Sequence, residues 1–220
     1  MMQITNVINW LLACNKMNRN FPIPLLFNIV LIAVVTGCNS SLPPVQYANY
    51  IVNETNGLIQ KSEINGRYYS ALFKPIDYVT LIETSKDNVS KSEFENRKKQ
   101  FEGMVYFTFS IANKSGKKLA EEKFPTDSLP ANSEFEYYNF QMQNDFYLVG
   151  GNDTTQCSLF HYEHNYGVSP ENKFLLGFKK GSGKQPGGFK LLYDGHFLGA
   201  GLMEFDFPKE VILKIPSINI

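Results

Sequence analysis

Tryptophan is almost missing: Trp10 is the only one in 220 residues, beside three cysteines and three histidines. Three cysteines are too few for a disulfide scaffold. Neither sign of charge is in excess, with 21 Lys and Arg against 21 Asp and Glu. That balance excludes the basic surplus by which nucleic-acid binders hold phosphates, so no nucleic-acid partner is expected. Catalytic and cofactor signatures are also lacking. There is no Gly-x-Ser-x-Gly elbow and no His-Glu-x-x-His. Gly183-Lys184 is followed by Gln185, where a phosphate loop needs Ser or Thr. What is present is apolar and aromatic: 43% hydrophobic and 14% Phe, Trp and Tyr, too rich for a disordered chain. The length allows one domain plus extras.

The longest apolar run, residues 21–37, reads FPIPLLFNIVLIAVVTG. Its core is shorter than the roughly 20 residues needed to span a bilayer. It follows Arg19 and ends in small residues, the layout of a secretory signal. Met17-Asn18-Arg19-Asn20 makes a conventional basic start, so residues 1–16 read as an N-terminal extension and 17–37 as the signal peptide.

Val35-Thr36-Gly37-Cys38 resembles the lipobox of bacterial lipoproteins: aliphatic, two small residues, then cysteine. The resemblance implies that a dedicated signal peptidase recognises Val35, Thr36 and Gly37 and cuts before Cys38. It further implies a diacylglycerol on the Cys38 thiol and an acyl chain, such as palmitate, on its new amine. One acyl chain binds membranes marginally, whereas two or three anchor stably. Asn39 is not acidic and no acidic cluster follows; by analogy with lipoproteins, this implies an outer-membrane, periplasm-facing address. Residues 38–55, with Pro43-Pro44, read as the lipidated cysteine and a tether, leaving 56–220 as a single domain.

That domain reads as strands. Residues 57–64 and 67–73 flank Asn65-Gly66, the strongest short hairpin signal, and Pro75 ends the second strand. Residues 78–84 are a further β-rich stretch. In 104–112, Val105, Phe107, Phe109 and Ile111 alternate with polar or tyrosine positions, so one face belongs in a core. Further β-prone runs are 134–142, 145–149, 156–163, 173–179, 189–193 and 202–207, separated by Gly, Asn and Pro. One short helix is expected near 91–101, opened by the capping box Ser90…Glu93. The pattern predicts a mainly β fold, an antiparallel β-sandwich that is Ig-like or a partly open barrel. It is similar to small, uncharacterised envelope lipoproteins with β-rich bodies, a likeness that implies no activity.

No group of residues announces chemistry. His161-Tyr162-Glu163-His164 invites a metal, but in a strand His161 and Glu163 share a face while His164 points away. Cys157 is expected to be buried and inert. Carboxylate pairs for glycan hydrolysis could be drawn from Asp77, Glu83, Glu163, Asp194 and Glu204, and nothing in the sequence singles out two. Twelve tyrosines offer recognition area, although sheet packing accounts for most of them. Asp127-Ser128-Leu129 and Asp153-Thr154-Thr155 resemble acceptor tripeptides of a periplasmic O-glycosylation system, both expected in loops. The expectation is a lipid-anchored, non-catalytic binding or assembly module with no cofactor. Its partner would be an envelope protein or a glycan. The alternatives are a small-ligand-binding sandwich or an envelope hydrolase.

Overall fold

The computed structural model describes residues 41–84, 90–116, 133–164, 169–181 and 187–220. Cys38 and the Val35-Thr36-Gly37 motif lie outside them, as do the leader and Asp127-Ser128-Leu129.

Two antiparallel sheets face one another. The larger has the order β2-β3-β4-β8-β7, built from Ile59–Ile64, Arg67–Lys74, Met104–Asn113, Glu171–Lys179 and Leu159–Glu163. The smaller has the order β10-β9-β5-β6, from Leu202–Phe207, Phe189–Asp194, Phe146–Gly150 and Asp153–Gln156. This is the expected mainly β sandwich, without closure into a barrel. The stretch 156–163 is not one strand: the chain leaves β6, turns at Cys157-Ser158 and joins the other sheet as β7. The Cys157 amide still bonds Phe146 O of the first sheet, while the Ser158 amide bonds Gly177 O of the second. A chain that changes sheets at such a bend makes a corner between them. Asp153-Thr154-Thr155 therefore lies in a strand, β6, and not in a loop.

Alternation decides which rings enter the core. Phe107, Phe109 and Ile111 of β4 are fully buried, as are Tyr69 and Ala71 of β3 and Phe174, Leu176 and Phe178 of β8. Phe109 meets Phe146 edge-on at 5.0 Å, Tyr193 at 5.0 Å and Phe205 at 5.7 Å, so it bridges the sheets. The hairpin forms as read: Asn65 (φ 52°) and Gly66 (φ 73°) both take the positive φ of a type I′ turn. Asn65 Nδ2 then donates to Gly199 O at 2.7 Å, tying the turn to the β9–β10 connection.

Helices are more numerous than the single one expected. Residues 41–55 do not form a loose tether. Ser41–Leu42 (β1) pairs in parallel with Ser217–Ile218 (β11), and Pro44–Val52 (α1) buries Tyr47 and Ile51 completely. Among the described residues, the folded body therefore includes β1 and α1. The stretch 78–84 is helical, as part of Ile76–Thr84 (α2). Pro75 acts as a helix start as well as a strand stop, its carbonyl accepting from the Val79 amide at 3.0 Å. The β-branched Thr80 is accommodated because its hydroxyl bonds Ile76 O at 2.8 Å. Lys91–Lys98 (α3) has the expected cap, with Ser90 Oγ accepting from the Glu93 amide at 3.2 Å. A Lys98–Asp77 ion pair of 2.6 Å joins α3 to α2.

Residues 134–142 also depart from the strand reading. A helical segment runs over 134–145, an opening turn at Glu134–Glu136 followed by a π-helical turn at Tyr137–Gln141 and a 3₁₀ turn at Met142–Asp145. Ser133 caps it, its hydroxyl accepting from the Glu136 amide at 3.1 Å. The Ser-x-x-Glu pattern at 133–136 was the missed signal. π-Turns are rare and occur often at functional sites. Lys209–Ile212 (α4) is the last helix among the described residues.

Candidate functional site

The π-turn places Tyr137 and Tyr138 with their rings buried and Gln141 at the surface of an open cleft of about 370 Å³. Its other walls are Asn144 and Asp145, from the end of the same segment, and Asp194, His196 and Phe197, from the turn after β9. Among the described residues, no lysine or arginine lines it.

Local chain geometry sets the second wall. Asp194 caps the 3₁₀ turn Gly195–Leu198, its Oδ1 accepting from the His196 amide at 3.2 Å and contacting His196 Nδ1. Only glycine fits at 195, where a Cβ would come within 2.8 Å of the Ala200 Cβ. The turn carries Phe197 over Tyr137, the rings stacked at 4.1 Å and 13°. Phe197 stays 39% exposed, so its outer side is open to a ligand. Phe140, on the same π-turn, is 73% exposed.

Behind the cleft runs a line of hydroxyls. Tyr137 donates to Asp145 Oδ2 at 2.7 Å and lies 3.1 Å from the Tyr193 hydroxyl. A phenol has one proton. With that of Tyr137 directed at Asp145, Tyr193 must be the donor in the second bond. A second polar group flanks the line, Arg67 Nη2 donating to Glu134 Oε1 at 2.6 Å and Tyr138 to Glu134 Oε2 at 3.0 Å.

The two carboxyl groups of the cleft are pushed in opposite directions. Partial burial raises Asp145 above its ordinary value, with Asp194 adding to the rise and the Tyr137 hydrogen bond opposing it. Asp194 is lowered, chiefly by its hydrogen bond with the His196 side chain. Burial pushes the phenols of Tyr137, Tyr138 and Tyr193 far above the usual range, so all three remain protonated donors.

Of the carboxylates weighed from the sequence, only Asp194 reaches the cleft. Asp77 is taken by Lys98, and Glu204 by Lys190 at 3.0 Å. Asp145, Tyr137 and Phe197 had no sequence signal, since roughly 50 residues or more separate the two walls. His161 and Glu163 lie exposed on one face of β7, with Tyr162 turned inward. His164 packs instead against the rings of Tyr162 and Phe135. Among the described residues no three His, Cys, Asp or Glu gather as metal ligands. Cys157 is buried, its thiol donating to Leu159 O at 3.0 Å and pushed up to about 11 by burial, which leaves little thiolate at neutral pH.

Neither a protein-family model nor a curated protein matches this chain. A solved structure from Burkholderia pseudomallei, described as a novel protein of unknown function, is similar at 9% identity. It has a TM-score of 0.34, with 81% of this chain and 95% of that one covered.

Proposed function

We propose that this is a lipid-anchored envelope protein, tethered through Cys38 to the periplasmic face of the outer membrane, acting as a non-catalytic binding module. Its cleft receives a basic side chain of a protein partner. The observation that carries this reading is the make-up of the cleft: an exposed Phe197 ring backed by Tyr137, two carboxylates, and no lysine or arginine among the described lining residues. Cations are attracted both to carboxylates and to the face of an aromatic ring. Phe140, which precedes the lining residue Gln141 on the π-turn, supplies exposed apolar area of the kind that anchors interfaces. Between the sheets the space is filled by stacked rings, which favours a surface partner over a ligand swallowed into the sandwich.

The test is in-cell photo-crosslinking of the lipidated chain with the reactive group at Gln141, followed by mass spectrometry. One partner captured at 141, and lost when Phe197→Ala and Asp145→Asn are introduced, supports the reading. Recovery of the protein alone from 141 rejects it. Labelled palmitate that fails to reach Cys38 rejects the anchor separately.

A second reading, an envelope glycan hydrolase, is favoured by the opposite displacement of Asp145 and Asp194, the pattern of an acid and its ionised companion. Against it, each carboxylate is held by a neighbour in the fold, Tyr137 or His196. Cleavage of envelope glycans that disappears in Asp145→Asn establishes this reading in place of the first.

A further inference from the structure

The chain from Asn39 to Asn53 contains no charged residue, and Glu54 is the first after Cys38. Within it, α1 turns Tyr47 and Ile51 inward and leaves Val45, Gln46, Asn49 and Val52 outward. Val45, Asn49 and Val52 stand at i, i+4 and i+7, one stripe of the helix. Val45 is 73% exposed, and Val52 also faces solvent. A water-facing helix stripe with two valines and no charge is unusual in a chain that is 19% charged.

A second element flanks this helix on the side of Tyr50, one position round from Asn49. Tyr50 of α1 donates to Lys214 O at 3.1 Å, which holds the 213–214 step against the helix. Leu213 there is 71% exposed, and Lys214 follows it at the surface. The termini are locked together nearby, β1 pairing with β11 and the Asn219 amide bonding Leu42 O at 2.8 Å.

Chain length supplies the occupant. Three residue steps separate Cys38 from Ser41, the first residue of β1. At 3.8 Å per step the connection reaches about 11 Å at most. A diacylated cysteine sits at the headgroup level of its leaflet. With the Cys38 anchor proposed above, the start of β1 stays within about 11 Å of that leaflet.

We propose that the face formed by the outer stripe of α1 and the Leu213-Lys214 step is a membrane-contact surface that seats the domain directly on a phospholipid bilayer. Val45, Val52 and Leu213 enter the headgroup boundary, and Lys214 meets anionic headgroups. The inference rests on the Cys38 anchor proposed above. It gives the domain a fixed posture instead of a tethered one, so that the cleft presents one orientation to the periplasm.

The experiment uses the full chain, matured in a Gram-negative host and reconstituted into phosphatidylethanolamine–phosphatidylglycerol vesicles. An environment-sensitive fluorophore is placed on Val45→Cys, Leu213→Cys or, as a control on β6, Thr154→Cys. All three positions are exposed, so folding is retained, which circular dichroism checks. The buried Cys157 leaves labelling to the introduced thiol. The expected result is blue-shifted emission at 45 and 213, quenched by lipids carrying a headgroup-level quencher, with water-like emission at 154. Water-like emission at all three positions, in protein that floats with the vesicles and carries the lipid by mass, overturns the membrane face while the anchor stands. A blue shift that lipid-borne quenchers do not touch means a second copy covers the face, and overturns it too. Protein that neither floats nor carries lipid overturns the anchor and this inference with it.

Discussion

Tyr137 and Tyr193 are both buried and hydrogen-bonded to one another, yet removing their hydroxyls should have unequal consequences. Tyr193→Phe deletes one neutral bond, the 3.1 Å contact to Tyr137. Tyr137 keeps its proton on Asp145, and only an acceptor lone pair goes unmet. The expected loss is about 0.5–1.5 kcal/mol. Tyr137→Phe deletes the 2.7 Å bond to the Asp145 carboxylate and also strands the Tyr193 hydroxyl, whose residue has no exposed surface. A bond to a charged group contributes about 1.5–3 kcal/mol, and an unmet buried donor costs about 1–3 kcal/mol. Asp145 is partly reached by water, which discounts the first term, so about 3 kcal/mol is expected in total. The ring at position 137 keeps its stack on Phe197 in either variant. The loss should also depend on pH. The Tyr137 bond favours the ionised form of Asp145, so its removal matters most where that carboxylate is charged. The gap between wild type and Tyr137→Phe is therefore widest at about pH 7 and narrows below the carboxyl range. Urea unfolding of the detergent-solubilised chain at about pH 7 and about pH 3.5, followed by circular dichroism, measures both quantities. Equal losses from the two variants, or a Tyr137→Phe loss indifferent to pH, would refute the assignment of Tyr193 as donor to Tyr137 and Tyr137 as donor to Asp145.

Further outcomes follow from the same geometry. Phe109→Ala leaves a cavity where the two sheets share a ring and should lower unfolding stability by about 3–5 kcal/mol, a large part of a typical domain's total. Gly66→Ala places a Cβ at φ 73° in the hairpin turn and should cost about 1 kcal/mol in the same urea assay, with no steric contact to blame. Asp145→Asn acts through charge. The folded-state value of Asp145 is raised, so the folded protein binds a proton there more readily than the unfolded chain. Its ionisation subtracts stability as pH rises through the acid range. The amide variant should thus melt no lower than wild type at about pH 7, with any advantage vanishing below the carboxyl range. For Asp194, lowered by His196, the sign reverses: Asp194→Asn should lose stability at about pH 7 and little in strong acid.

Much of the sandwich was legible because period-two alternation maps directly onto a face of a sheet. Val105, Phe107, Phe109 and Ile111 declared β4, and Asn65-Gly66 declared its hairpin through backbone angles that few other residues adopt. The cap at Ser90 was legible for the same local reason. The misreadings share a cause. Residues 78–84 and 134–142 are rich in β-branched and aromatic residues, but what such side chains prefer depends on where they can be buried. Pro75 and Ser133 started helices that propensity alone would not have placed. Burial of Tyr47 and Ile51 likewise turned a proline-bearing stretch that reads as a linker into part of the body.

The proposed address rests on local sequence, a signal run and four residues ending at Cys38, because the machinery that reads such labels reads unfolded chain. The core was written in alternation, because burial follows the pleat. The cleft was written in neither. Tyr137 and Asp145 come from one segment and Asp194 and Phe197 from another roughly 50 residues on, and they meet only when β5 pairs with β9. Proximity between distant segments is a product of sheet register, and the displacement of a carboxyl group is a product of what then surrounds it. Both are decided by the tertiary structure alone.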